Sequence, residues 1–151
     1  MNEKIDKKIK GVISAFNRLG ITTTGSCQGH IDYGAPAPWI KISPREKPYT
    51  AETKRLRKET ILLLGKFYEN KKVESAVKLK VKNGKFGFWL YSGGQDFLVW
   101  RRVVKENVEK VRKNQSVGKT ISLKEKQRHR KNLPVFQKEM RLFGDFLSRI
   151  R

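Results

Sequence analysis

The sequence predicts an α+β fold, with a small, mostly antiparallel sheet of about four strands packed against about five helices. Three features point to it. Apolar residues recur at helical spacing in several separate stretches. Runs with apolar residues at every second position flank an Asn-Gly pair. Helices and strands follow one another without the regular βαβ rhythm of a parallel sheet.

Ile5, Ile9, Val12, Ile13, Phe16 and Leu19 mark the first helix, and Gly20 is placed to stop it. Ile21 to Ser26 is Thr-rich and of strand type. From Cys27 to Pro38 the chain is irregular, punctuated by Gly29, Gly34, Pro36 and Pro38. Trp39 to Ile42 reads as a second strand, closed by Ser43-Pro44. A helix follows over about Thr50 to Asn70, with Leu56, Leu63, Leu64 and Phe67 inward. Val77, Leu79 and Val81 then alternate with Lys78, Lys80 and Lys82. After Asn83-Gly84, Phe86, Phe88 and Leu90 alternate with Gly87, Trp89 and Tyr91. Asn-Gly between alternating runs predicts a two-residue hairpin loop, pairing Val81 with Phe86, Leu79 with Phe88 and Val77 with Leu90.

Ser92-Gly93-Gly94 breaks that strand, and a helix is expected from about Gln95 to Lys113, with Phe97, Val104, Val108 and Val111 as its stripe. Ser122-Leu-Lys-Glu125 resembles a capping box that opens a short basic helix through Lys131. Asn132 and Pro134 then open a last helix along Phe136, Met140, Phe143, Leu147 and Ile150. Residues 114–121 are the weakest joint. One domain is expected over residues 1–151, its C-terminal part helical from about residue 95.

Charge is the outlying property. The 151 residues include 35 Lys and Arg against 14 Asp and Glu, a formal net charge of +21. Such a domain repels itself until anions neutralise it, and nucleic acid is the commonest partner, because each phosphate contact releases condensed counterions. With 37% hydrophobic and 10% aromatic residues the chain has material for a core, which argues against a disordered tail. Its one cysteine, Cys27, excludes an intramolecular disulfide and fits a reducing compartment. The N-terminus enters a charged helical pattern with no secretory apolar stretch, and no apolar run reaches the ~20 residues that span a bilayer. A cytoplasmic protein without a membrane partner is the expectation.

Three groups of residues are candidates for function. The first is the loop around Ser26-Cys27-Gln28-Gly29-His30. Gly25 and Gly29 allow tight turns in which successive N–H groups form an anion-binding nest. If the side chains meet, His30 can help to ionise Cys27, making the two a nucleophile and base; otherwise Cys27 is a small buried residue at a strand end and His30 fixes the loop. Cys27, His30 and Asp32 are also metal-ligand types, but a structural zinc needs four ligands; with no other Cys and only His129 remaining, that reading needs carboxylates or a second chain, and no metal and no cofactor are expected. Tyr33 stands where a phosphatase-type cysteine loop needs Arg, and the glycine spacing fits neither a Walker loop nor a dinucleotide fingerprint.

The segment Thr22-Thr-Thr-Gly-Ser-Cys-Gln-Gly-His30, with Pro36-Ala-Pro-Trp39 after it, resembles uncharacterised bacterial proteins carrying Thr-Thr-Gly-Ser-Cys-x-Gly-His and a nearby Pro-x-Pro-Trp. More distantly it is similar to the Ser-Cys-Ser-Gly-Arg segment of the tRNA wybutosine-synthesising methyltransferase family, with Gln28 in place of Ser and His30 in place of Arg. The likeness covers residues 12–42. It implies an α/β fold, tRNA as partner and S-adenosylmethionine near Ser26 and Cys27.

The second group is the hairpin face carrying Lys78, Lys80, Lys82 and Lys85 beside Trp89 and Tyr91. On an open sheet such a face suits single strands, with bases stacked on rings and phosphates on lysines. Under a helix, the same rings are core residues with lysine stems beside them. The third group is the basic run from Lys105 to Lys131, in which Arg128, Arg130 and Lys131 lie on a predicted helix nearly free of acids. Its contacts would be with phosphate and independent of base sequence. The reading that follows is a nucleic-acid-binding protein, RNA ahead of DNA, with the basic run holding backbone and Ser26, Gly29 and His30 contacting a phosphate or nucleotide. The alternatives are an enzyme or small-ligand binder acting through Cys27 and His30, and a basic viral or mobile-element protein that binds an acidic host protein.

Overall fold

Gly20, at φ +78°, ends the first helix where the sequence places its stop. In the computed structural model, which describes residues 6–31, 36–43, 50–106, 109 and 122–150, a 3-10 turn over Lys7–Ile9 leads into α1, Lys10–Arg18. The chain continues through β1 (Thr23–Cys27), β2 (Trp39–Ile42), α2 (Ala51–Tyr68), β3 (Lys80–Asn83), β4 (Phe88–Tyr91), α3 (Gln95–Glu106) and α4 (Leu123–Ser148). The fold is α+β: a four-stranded sheet in the order β1-β2-β4-β3, every pair antiparallel, with four helices among the described residues. None of these helices is long and apolar enough to cross a membrane.

The hairpin differs from its expectation in register. Lys80 pairs with Tyr91, Val81 with Leu90, Lys82 with Trp89 and Asn83 with Phe88, so residues 84–87 form the loop, closed by a Gly84 N–H to Gly87 carbonyl bond of 2.7 Å. A two-residue type I′ turn needs positive φ at both Asn83 and Gly84, and Gly84 is not among the glycines that adopt it. Pairing of β4 with β2 competes with the local turn signal: Trp39 meets Tyr91 and Ile42 meets Phe88, and a Cβ on Gly87 would lie 2.4 Å from the Ile42 carbonyl oxygen. The slip is by an even number of residues, so the faces survive. Val81, Phe88 and Leu90 stay on one side, and Lys80, Lys82, Trp89 and Tyr91 on the other.

The first of those sides is the core, where Ile40, Ile42, Phe88 and Leu90 meet α1, α2 and α4 through Val12, Ile13, Phe16, Leu56, Phe67, Met140, Phe143 and Leu147. Thr50 caps α2 by accepting from the Thr53 amide, and Ser122 caps α4 by accepting from the Glu125 amide at 3.1 Å, as the capping motif anticipates. The two C-terminal helices expected from the sequence are one helix of 26 residues with Pro134 inside it. Proline forfeits one ladder bond and disfavours the turn before it. Contacts on either side of it hold this helix together, with Leu133 against Gly29 and Phe136 against Gly93. Of the expected extension of α3 to Lys113, only Glu109, which is helical, is described; Val108 and Val111 lie outside the described residues, as does the 114–121 joint.

Two glycines with opposite surroundings test this packing. A Cβ on Gly144 would lie 3.0 Å from the Cα and Cβ of Val12, so α1 and α4 touch backbone to backbone there, while a Cβ on Gly65, mid-helix in α2 and exposed, meets nothing within 4 Å. Gly144→Val should destabilise the fold by ~1–3 kcal/mol through overpacking. Gly65→Ala should stabilise it by ~0.5–1 kcal/mol. Urea unfolding of both variants measures the difference.

Candidate functional site

Strand alternation divides the Ser26–His30 loop before any chemistry begins. Cys27 pairs with Trp39, and its side chain belongs to the outer sheet face with Trp39 and Tyr91. Ser26 pairs with Ile40, a core residue, and so faces the other way. A register shift between Thr23 and Gly25 sets this phase. The sequence grouped Ser26 with Cys27 and His30; the sheet separates it from them.

Beyond β1 the chain turns at Gly29, whose φ is +97°. A Cβ there would lie 2.5 Å from Leu133 Cδ1 and 3.1 Å from the Ala37 carbonyl carbon, so both the dihedral and the space require glycine. The turn brings His30 back toward the start of the chain. His30 Nε2 lies 3.8 Å from Asp6 Oδ2, and the donor atoms of Asp6, Cys27 and His30 all fall within 4.8 Å of one another. Cys27 and His30 therefore do converge, and Asp6 joins them.

The loop amides are already engaged. Gln28 N–H donates to Asp6 Oδ2 at 2.9 Å, and Gly29 N–H donates to Cys27 Sγ at 3.3 Å. The nest expected to take an outside anion holds the chain's own carboxylate and sulfur instead. Gln28 continues the network outward: its side-chain oxygen accepts from the Lys8 amide at 3.1 Å, and its carbonyl accepts from Gln137 Nε2 at 2.9 Å. Lys8 Nζ in turn donates to Gln137 Oε1 at 3.2 Å. Lys8 and Gln137 line a groove of about 290 Å³ together with Pro134, Lys138 and Arg141.

The hairpin candidates are placed differently. Tyr91 is only 7% exposed and stacks on Phe97 of α3 with ring centroids 4.3 Å apart, so it belongs to the buried alternative. Burial also pushes its hydroxyl pKa up, against the opposing charge of Arg101. Trp89 is half-buried, 4.7 Å from the Trp39 ring, in a cross-strand row with Lys41 and Lys82. Lys80 is half-buried in the row with Tyr91, and Lys78 Nζ lies 5.4 Å from the Tyr68 ring.

On α4, Arg130 and Lys131 are exposed, but Arg128 is tied inward: its guanidinium donates to Asp96 Oδ1 at 2.9 Å. His129, part of the same basic run, is fully buried, with Nδ1 3.3 Å from Asp96 Oδ2. Burial alone would raise the Asp96 pKa. The His129 imidazole, the Arg128 charge and a hydrogen bond from Asn132 outweigh it and hold the carboxyl below its ordinary value. The centre of the predicted phosphate-binding run is thus partly a structural ion cluster. Asp32, Tyr33, Lys110, Arg112, Lys113 and Lys119 lie outside the described residues.

Asp6, Lys8, Gln137, Lys138 and Arg141 escaped the sequence reading. Lys131, Lys138 and Arg141 recur at helical spacing on one face, a pattern hidden by the assumed break at Pro134. Nothing local links Asp6 to Gln28.

Two outcomes follow from these contacts. Gly29→Ala should destabilise the fold by ~1–3 kcal/mol, read by urea unfolding, because strain and a backbone clash act together. Asp96 has a folded-state pKa below its unfolded one, so its stabilisation is complete above the unfolded value of ~4 and is lost as pH falls through the folded value. Wild-type stability should therefore decline with acid below about pH 5. Asp96→Asn, lower at neutral pH, should show a flatter decline over the same range in urea melts at stepped pH.

Comparison of the chain with protein-family models, with curated proteins and with solved structures gives no match, so the functional reading rests on these residues.

Proposed function

We propose that this chain binds nucleic acid, RNA in preference to DNA, along the groove between the N-terminal 3-10 turn and α4. The observation that carries the reading is the meeting of Lys8, Lys138 and Arg141 around that groove, directly beside the Gln28 loop. Lys131, Lys138 and Arg141 are exposed and extend along α4 for ~15 Å at the α-helical rise, long enough to reach several phosphates of one strand. A chain with a net charge of +21 gains from neutralising such a stripe, and displaced counterions supply the driving force. A side-chain exposure of 35% supports contact between His30 and a phosphate or nucleotide. The distant similarity of Ser26-Cys27-Gln28-Gly29-His30 to the Ser-Cys-Ser-Gly-Arg segment of the tRNA wybutosine-synthesising methyltransferase family supports RNA ahead of DNA.

The test is the salt dependence of binding to single-stranded RNA and DNA oligonucleotides of equal length. Log affinity should fall linearly with log salt. Changing Lys8, Lys138 and Arg141 together to Gln should reduce the slope by ~0.7 for each phosphate that is no longer neutralised. Arg55 is engaged by Glu52 at 2.7 Å and Glu59 at 3.2 Å on α2, so Arg55→Gln should leave the slope unchanged. An unaltered slope in the triple variant sinks the groove as the binding surface.

A further inference from the structure

We propose that Asp6, Cys27 and His30 form a binding site for a divalent transition-metal ion of the zinc class, with one coordination position left open. The three donors are a carboxylate, a thiol and an imidazole, the mixture that suits zinc or cobalt and not magnesium or calcium, which take oxygen ligands. Their donor atoms lie within 4.8 Å of one another, and His30 Nε2 is 3.8 Å from Asp6 Oδ2. A tetrahedral ion with bonds of about 2.0–2.3 Å holds its donors about 3.3–3.6 Å apart. At the His30–Asp6 pair, closing the triad onto an ion thus takes side-chain adjustments of about an ångström or less.

The surroundings orient the donors as metal ligands are oriented. The Gln28 amide donates to Asp6 Oδ2 at 2.9 Å, the oxygen that faces His30, and so holds the carboxylate beside the imidazole; an ion there would share that oxygen with the amide. The Gly29 amide points at Cys27 Sγ and favours negative charge on sulfur, the form that ligates. Gly29 itself is locked by its left-handed dihedral and by Leu133 and Ala37. A thiolate and a carboxylate together carry the charge that a divalent ion neutralises, so the filled site itself is neutral within an already cationic chain. Side-chain exposures of 32% for Asp6 and 35% for His30 leave a path for the ion. Three protein ligands beside solvent make an open site, whose fourth position takes water or an anionic ligand, in contrast to the closed four-ligand site that the sequence could not assemble. Binding replaces the Cys27 thiol proton by the metal, so one proton leaves and affinity rises with pH.

The test uses the full chain, stripped with chelator and titrated with Co2+ and then Zn2+, with no nucleic acid present, so its outcome is independent of the nucleic-acid reading. One equivalent of Co2+ should produce a thiolate-to-cobalt charge-transfer band and intense tetrahedral d–d bands, both displaced by Zn2+. Cys27→Ser should abolish the charge-transfer band. Asp6→Asn, which keeps an oxygen acceptor for the Gln28 amide, and His30→Ala should each weaken Co2+ binding about tenfold or more, since even outer partners of metal ligands carry effects of that size. Absence of both bands in the wild-type chain overturns the proposal whatever the variants do. Bands of unchanged affinity in both Asp6→Asn and His30→Ala, with unchanged circular dichroism, overturn it too, because they would report a thiol acting alone.

Discussion

One buried stripe on α4, from His129 to Leu147, is the surface on which the other elements are assembled. His129 meets Asp96 at the start of α3, Leu133 and Phe136 back onto Gly29 and Gly93, and Gln137 holds the Gln28 carbonyl. Further along, Glu139 accepts from the Tyr68 hydroxyl at 2.7 Å, Phe143 packs on Phe16 and Phe67, and Gly144 lets α1 approach to backbone contact. Interiors packed to crystal-like density transmit a shift at one such contact to its neighbours. A helix broken at Pro134 would separate the half that supports the loop from the half that supports the core. Its continuity therefore places the Ser26–His30 loop relative to the rest of the molecule.

The second constraint is charge. With 14 acids against 35 bases, carboxylates are too few to pair every cation. Several are engaged inside the structure: Asp96 with His129 and Arg128, Glu139 with Tyr68, and Asp6 with the Gln28 amide. Burial pushes the Tyr68 hydroxyl pKa well up, the Leu79 amide opposes the shift and Glu139 adds to it, so the hydroxyl stays a donor at any physiological pH. Carboxylates placed at joints between elements contribute more than the same groups on the surface, where exposed ion pairs supply only ~0–1 kcal/mol. The arrangement leaves cations such as Lys131, Lys138 and Arg141 on the outside, where their mutual repulsion raises the affinity for any polyanion that neutralises it.

Much of the fold was legible along the chain. The end of α1, the approximate span of α2, the Ser122 cap, β2 to the residue, and the two faces of the hairpin all follow from periodicity and capping chemistry, which act over a few residues. The two departures share a cause. Asn83-Gly84 favours a tight turn, but pairing of β4 with β2 across the sheet outweighs one turn's preference. Pro134 disfavours a continuous helix, but contacts from residues about a hundred positions away hold the helix through it.

By itself, then, the sequence determined the α+β class, the cationic character, the apolar faces and the turn at Gly29 after Cys27, because composition, periodicity and a glycine's dihedral freedom are local properties. Only the tertiary structure decided what surrounds that turn. It brought Asp6 to the turn across more than twenty residues of chain, filled the loop's amides with the protein's own groups, set Tyr91 under Phe97 and His129 beside Asp96, and aligned Lys8 with Lys138 and Arg141. Each of these depends on where α4 and α3 lie against the sheet and the N-terminal turn. That position is set by the summed fit of many weak contacts, and no single stretch of sequence encodes it.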